Sequence, residues 1–408
     1  MDKKLFDAIC EFCEYLTDWD EKKQDYINDI LPDLKYGYSP KEIKSEARII
    51  FNEKIRTLTN PYPSIWDNIV DIIAKIKEDP KEYEQTVLGE KYRKLFDYLK
   101  ETYNFQGFVH TTSFENFINI MRSGYLYSRN YIHENNIKTS EIALDGAIDI
   151  TSNEIKNYVR LYWRVKTPTN YRNEGIKPKS ALTDIFRAHS PNPVILMFDE
   201  NIALNEKARF TPKNACKCSN LFEHTFYEED IKYPFKYSFK NIFHDGPIME
   251  DEEKQKIIDA RQAELLYPER LSINKIKKII FRSEADFDRA VLELGNNDKF
   301  EIDSLQFCNN WLYVGNYKID NSNCNVNLEI TYCLGNELNK QRYNLQNYEH
   351  KITFLDKHFS IIKDYNINKL VGIPIYPLQK FCFENNPKYK YMCYYIDDIE
   401  CIKAKIND

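Results

Sequence analysis

At 408 residues the chain is too long for one ordinary domain, so two or three are expected. Apolar residues make up 42% and aromatics 14%, with no long low-complexity run, which excludes a disordered chain and provides for a sizeable core. A net charge of −6 excludes a protein that coats nucleic acid nonspecifically, yet leaves room for a local basic groove.

The chain opens on MDKKLFDAICEFCEYL, an amphipathic helix pattern interrupted by acids, without the roughly 7–15-residue apolar stretch of a signal peptide. No window approaches the roughly 20 apolar residues of a membrane span. A soluble, cytoplasmic protein with no membrane partner is therefore expected. Residues 1–100 read as a helical accessory module: apolar positions recur at three and four spacings in Leu5, Ile9, Cys13 and Leu16, and again in Ile65, Ile69, Ile72, Ile73 and Ile76. Pro32, Pro40, Pro61, Pro63 and Pro80 mark the helix boundaries. The ten cysteines are scattered, as reduced thiols would be. The pairs Cys10/Cys13 and Cys216/Cys218 lack the further ligands that a four-coordinate zinc site requires, so no metal is expected.

From 101 to 292 short strands alternate with short helices. FQGFVH (105–110) reads as a strand. Ser113 then caps a helix carrying Phe114, Phe117, Ile118 and Met121, which Gly124 ends. PVILMFD (193–199), AELLYP (263–268) and KKIIFR (277–282) read as strands, and the acidic stretch 249–260 as a helix or loop. Residues 293–408 alternate apolar with polar positions in WLYVGNYKID, NVNLEITYCL and KYMCYYIDDIECIKA, predicting a β-rich accessory domain.

Three segments carry the chemistry. In VHTTSFENFINIMRSGYL (109–126), His110 at a strand end and Thr112 two residues on can present polar groups to a planar amide, with Asn116 in the first turn of the following helix. A structural His at a strand end fits the same pattern. Between Glu154 and Lys179, seven basic residues (Lys156, Arg160, Arg164, Lys166, Arg172, Lys177, Lys179) face two acids, with Tyr158, Tyr162, Trp163 and Tyr171 interleaved. Such a mixture holds phosphates and stacks on bases or nicotinamide. A solvated helix face, with Arg160 and Arg164 one turn apart, is the alternative. In ARQAELLYPERLSI (260–273), Glu264 stands near the start of an apolar strand, two residues after Gln262. A carboxylate there is costly unless paired or used, or unless the strand is a solvated edge. The chain has no G-x-G-x-x-G, Walker loop, H-E-x-x-H or G-x-S-x-G.

In this order the segments resemble the DarT family of ADP-ribosyltransferases, toxins of toxin–antitoxin pairs that modify bases of single-stranded DNA. The opening motif (His, Thr or Ser two on, Asn six on, a helix, then Gly-Leu) matches His110, Thr112, Asn116, Gly124 and Leu126, with Tyr125 between the last two. The middle motif, approximately D-Y-V-P-F-Y-F with a Pro five residues later, matches Tyr158, Val159, Tyr162, Trp163 and Pro168. The closing R-x-A-E-[FV]-L places the catalytic Glu on Glu264 within Arg261–Leu266. The likeness covers roughly 105–285; Thr169 follows Pro168 where the family often has Met, both flanking modules exceed the compact family core, and two further departures concern the site. A supporting Arg between the first two motifs is not identifiable, leaving Arg129, Arg160 or Arg164 to replace it, and Asn214 stands where a T-D-x-H-A motif has His.

The resemblance implies an α+β fold: an ADP-ribosyltransferase-like split β-sheet core between an N-terminal helical module and a C-terminal β-rich module. It implies NAD+ as substrate, held by His110, Thr112, Asn116, Tyr162 and Arg129, with the nicotinamide between His110 and Tyr162. Glu264 is the expected catalytic carboxylate. Tyr158, Arg160, Arg164, Lys166 and Gln262 are expected on the acceptor, single-stranded nucleic acid because an attacked base must be unstacked, with DNA favoured over RNA by the resemblance. An antitoxin protein is the expected partner of a bacterial toxin or phage-defence effector. Transfer to RNA or protein, and a non-catalytic binding protein that kept the fold, are the alternatives.

Overall fold

The structure, a computed structural model, describes residues 93–139, 145–182, 189–205, 207–218, 238–246, 251–322, 324–336, 345, 348–367 and 378–407. The chain divides into two compact units, Met1–Thr102 and Tyr103–Asp408. Of the helices expected over 1–100, only the stretch from 93 onward is described, and it is helical. Cys10 and Cys13 lie outside the described residues.

In the second unit the opening strand, β1 (Phe108–Ser113), begins three residues later than the sequence pattern suggested and runs three further. Gly107 sets the start. Its φ of +145° brings its backbone against Phe198, leaving no room for a side chain. Ser113 ends the strand and caps α1 (Phe114–Ser123): its side chain accepts from the Asn116 amide, and Gly124 closes the helix in the left-handed region. Then follow β2 (Tyr125–Tyr127), α2 (Arg129–Glu134), β3 (Tyr158–Tyr162), β4 (Pro193–Phe198), β5 (Arg209–Thr211), α3 (Asp251–Ala260), β6 (Glu264–Pro268), β7 (Arg270–Ser272), β8 (Ile276–Phe281), α4 (Glu284–Leu294) and β9 (Phe300–Ile302).

Seven of these strands form one sheet in the order β5-β6-β3-β1-β4-β8-β9, antiparallel except for β8 and β9. β4 is buried at every position, as a central strand covered on both faces must be. The sheet is nearly split in the middle. β1 meets β3 through a single register pair, Val109 with Tyr162, whereas β1 and β4 are paired along six residues. One face of the sheet carries an aromatic core in which Trp163 contacts Phe105, Phe108, Phe210 and Phe239. The other carries Val109, Ile195, Met197 and Ile280 with Phe307.

The C-terminal segment contributes β10 (Tyr313–Asn321), β11 (Asn325–Cys333), β12 (His350–Leu355), β13 (Ile361–Ile367), β14 (Leu378–Glu384), β15 (Tyr391–Ile396) and β16 (Ile399–Lys405). They form sheets β10-β11-β14 and β13-β12-β15-β16 around one apolar core, which also takes in Ile176 and Ala285. Among the described residues, no helix is long and apolar enough to cross a membrane.

Gly107→Ala should lower unfolding stability by about 2 kcal/mol, because its Cβ would collide with the Phe198 carbonyl oxygen at the β1–β4 pairing. A urea denaturation midpoint equal to that of the native chain would contradict this close approach.

Candidate active site

The near-split between β1 and β3 creates the site. Where the ladder stops, the next β3 carbonyl, that of Arg160, would be left without a partner. The His110 ring fills the gap: Nδ1 donates to this carbonyl at 3.1 Å. A neutral imidazole bonded this way keeps its proton on Nδ1 and offers Nε2 as an acceptor. Burial lowers the His110 pKa below its ordinary 6.5; the bond to the Arg160 carbonyl opposes this, and the Arg160 charge adds to it.

His110 opens onto a cavity of about 250 Å³. Thr112 and Asn116 line it from β1 and α1, Arg129 from α2, and Tyr158 and Arg160 from β3. The remaining walls include Ile120, Leu126, Ile132, Ile148 and Ile155, with Tyr125 and Tyr127. Tyr127 stacks on Tyr131 at 4.8 Å with the rings within 2° of parallel. Apolar walls with a few converging polar groups are typical of small-molecule sites.

Glu264 lies behind Arg160. Strand register places Val109, Tyr162, Glu264 and Thr211 in one row across β1, β3, β6 and β5, on a common face. Glu264 is thus on an interior strand, not a solvated edge, and its side chain is fully buried. Arg160 reaches it diagonally as a fork, Nε to Oε2 at 2.6 Å and Nη2 to Oε1 at 2.6 Å. The Ala215 amide also donates to Oε1, at 3.0 Å. Burial by itself would lower the Arg160 pKa, but the Glu264 carboxylate outweighs it and holds the guanidinium charged. Burial, followed by the Glu264 charge, pushes the Tyr162 phenol up to about 12, so it stays protonated.

A layer of amides backs this pair. Asn214 Oδ1 accepts from Arg160 Nη2 at 2.8 Å, and Asn214 Nδ2 donates to Gln262 Oε1 at 3.3 Å. Gln262 Oε1 also accepts from Thr169, and its Nε2 donates to the Ile258 carbonyl.

The residues singled out in the sequence therefore fall into three places. His110, Thr112, Asn116, Arg129, Tyr158 and Arg160 share the cavity. Glu264 and Gln262 are buried behind it, and Tyr162 packs toward the Val109 cluster rather than across from His110. Arg164 and Lys166 line a separate cleft with Asn104, Gln106 and Phe243. There Arg164 holds the Ile242 and His244 carbonyls and pairs with Asp245. The basic segment is accordingly not one continuous groove, and 158–162 is a strand paired on both sides, not a helix face. Neither residue type nor spacing marks the Ala215 amide or the Thr169 hydroxyl as part of the site. Cys216 and Cys218 are free thiols; burial raises both, Cys218 to about 11. Among the described residues, no group of three or more His, Cys, Asp or Glu could hold a metal ion.

A family profile described as "ssDNA thymidine ADP-ribosyltransferase, DarT" matches residues 109–313. Similar solved structures include Thermus sp. 2.9 DarT in complex with ADP-ribosylated ssDNA, with 15% identity, 49% of this chain and 95% of that chain covered, and a TM-score of 0.39. The same protein in complex with NAD+ gives 15%, 49%, 96% and 0.37. Thermosipho africanus DarTG in complex with ADP-ribose gives 18% identity, 50% of this chain, 51% of that chain and a TM-score of 0.39. No curated protein matches significantly.

Because burial disfavours the imidazolium, the His110 titration midpoint should fall below 6.5 and the ring should be neutral at pH 7. NMR titration of the imidazole protons tests this, and a midpoint at or above 6.5 would contradict the dominance of burial over the bond to the Arg160 carbonyl.

Proposed function

The chain belongs to the DarT family of NAD-dependent ADP-ribosyltransferases, and on that premise we propose that it transfers ADP-ribose from NAD+ to a base in single-stranded DNA, with Glu264 as the catalytic carboxylate. The observation that carries this reading is a fully buried, ion-paired glutamate on β6, one side chain removed from an apolar cavity that contains His110. An unused carboxylate in such a place would be a costly ornament to the sheet.

The cavity fits part of a dinucleotide. At about 250 Å³ it lies just under the roughly 300–1,000 Å³ usual for small-molecule pockets, so it suits one nucleoside half. NAD+ supplies a ribose whose bond to nicotinamide breaks to release a neutral leaving group. The chain's own groups do the rest. His110 Nε2 accepts from an amide or hydroxyl, while Thr112 and Asn116 supply further polar contacts. Tyr127 and Tyr158 offer aromatic faces, and Arg129 and Arg160 offer positive charge to phosphate oxygens. Glu264, one side chain behind the cavity wall, stabilises with its negative charge the positive charge developing on the sugar, as carboxylates do in glycosidases. The attacking base bonds to the ribose carbon as the bond to nicotinamide breaks, and its proton is lost to solvent.

Tyr158 and Arg160 serve the acceptor from the cavity side, and Lys166, exposed on the neighbouring cleft, is the group best placed to meet a passing phosphate. A base must be unstacked to be attacked, which favours a single strand over a duplex. In the cell this chemistry suits a toxin or phage-defence effector controlled by an antitoxin.

The test is transfer from labelled NAD+ to single-stranded DNA, duplex DNA, RNA and protein, comparing the native chain with Glu264→Ala and Glu264→Gln. Label should appear on single-stranded DNA and fall by about two or more orders of magnitude in both variants. Label on RNA or protein instead would change the acceptor while keeping the enzyme. Full activity in the variants would remove Glu264 from the mechanism.

A further inference from the structure

We propose that Arg160 and Asn214 act as a linked pair that positions Glu264, Arg160 from the cavity wall and Asn214 from within the protein. This rests on the reading of Glu264 as the catalytic carboxylate given above.

The geometry assigns the roles. Arg160 Nη2 has two hydrogens: one goes to Glu264 Oε1 and the other to Asn214 Oδ1. Nε goes to Glu264 Oε2, so the fork is anchored on both carboxylate oxygens. The remaining nitrogen, Nη1, makes no hydrogen bond among the described residues, on a side chain that lines the cavity and is 31% exposed. Arg160 therefore links a ligand in the cavity to a carboxylate that has no exposure of its own.

Asn214 acts one step further back. Its Oδ1 also accepts from the Cys216 amide at 3.1 Å, which caps the 3-10 turn Ala215–Lys217. The first amide of that turn, Ala215, is the remaining donor to Glu264. One side chain thus fixes both neighbours of the catalytic carboxylate without touching it, and Gln262 fixes that side chain in turn. A neutral amide suits the task. It holds the second Nη2 hydrogen without competing for the guanidinium charge, as an aspartate there would.

The experiment measures initial rates of NAD+ cleavage and transfer by the full chain across NAD+ concentrations. The variants are Arg160→Lys, Asn214→Ala, Asn214→Asp and the double variant Arg160→Lys/Asn214→Ala. Each single change should lower kcat about tenfold with KM for NAD+ within about twofold, and the double change should fall no further than the worse single one. Arg160→Ala should regain about fivefold in kcat from guanidinium ion at sub-denaturing concentration, a response that a purely structural role does not give. Arg160→Lys keeps the buried charge paired, so a folded variant remains even where Arg160→Ala unfolds. Additive losses, a raised KM with unchanged kcat, or failure of guanidinium to restore rate in folded Arg160→Ala would overturn the pair. An inactive native chain would instead bring down the catalytic reading of Glu264, and this inference with it.

Discussion

The ion pair between Arg160 and Glu264 is the constraint around which the rest of the transferase sheet is arranged. Taking two charges out of water costs several kcal/mol for each ion, and attraction alone offsets this only when the geometry is good and the other lone pairs are satisfied. Here both conditions hold: a planar fork meets both carboxylate oxygens, and a backbone amide supplies a further donor. Meeting them fixes a great deal else. Glu264 must be in register with Tyr162 and Thr211, and Arg160 two residues from Tyr162 on the same face. The turn after Asn214 must bring Ala215 against the carboxylate.

The cavity is the complement of that order. β1 and β3 part after one paired residue, and the parting exposes a carbonyl that His110 satisfies from its side chain. The same event that weakens the sheet therefore places an imidazole of defined tautomer at the mouth of an apolar pocket. Apolar walls exclude water, and charge interactions within them are stronger than at a surface. Arg160 stands between the two regions, touching ligand space on one side and the buried acid on the other.

The C-terminal sheets are joined to this sheet through polar contacts as well as a shared core. α4 is capped by Ser283 and carries Arg289, which bonds Glu400, and Glu293, which bonds Lys403; Tyr317 donates to Asp288 on the same helix. Arg282, at the end of β8, lies buried over the Tyr313 ring. These contacts tie the C-terminal sheets to α4 and to the end of β8.

Much of this was legible in the sequence wherever a local rule governs. Ser113 and Gly124 announced a helix because caps satisfy specific amides and carbonyls within a turn of the chain. The unbroken apolar run of β4 and the alternation of β11 announced a central and a one-sided strand. The ordered motifs brought His110 and Glu264 into one hypothesis although 154 residues (264 − 110) separate them. What the sequence left open was which side of each strand a residue takes and whom it meets across the sheet. A slip of one position reverses the face, so spacing could not foresee that Tyr162 shares the face of Val109 and not the cavity of His110. Arg160 and Arg164 look equivalent in a basic stretch, yet one ends on Glu264 and the other on a turn near Asp245. Composition and short-range pattern determined the elements and the candidate acid; strand register, a long-range property, decided which base holds that acid and which groups share the cavity.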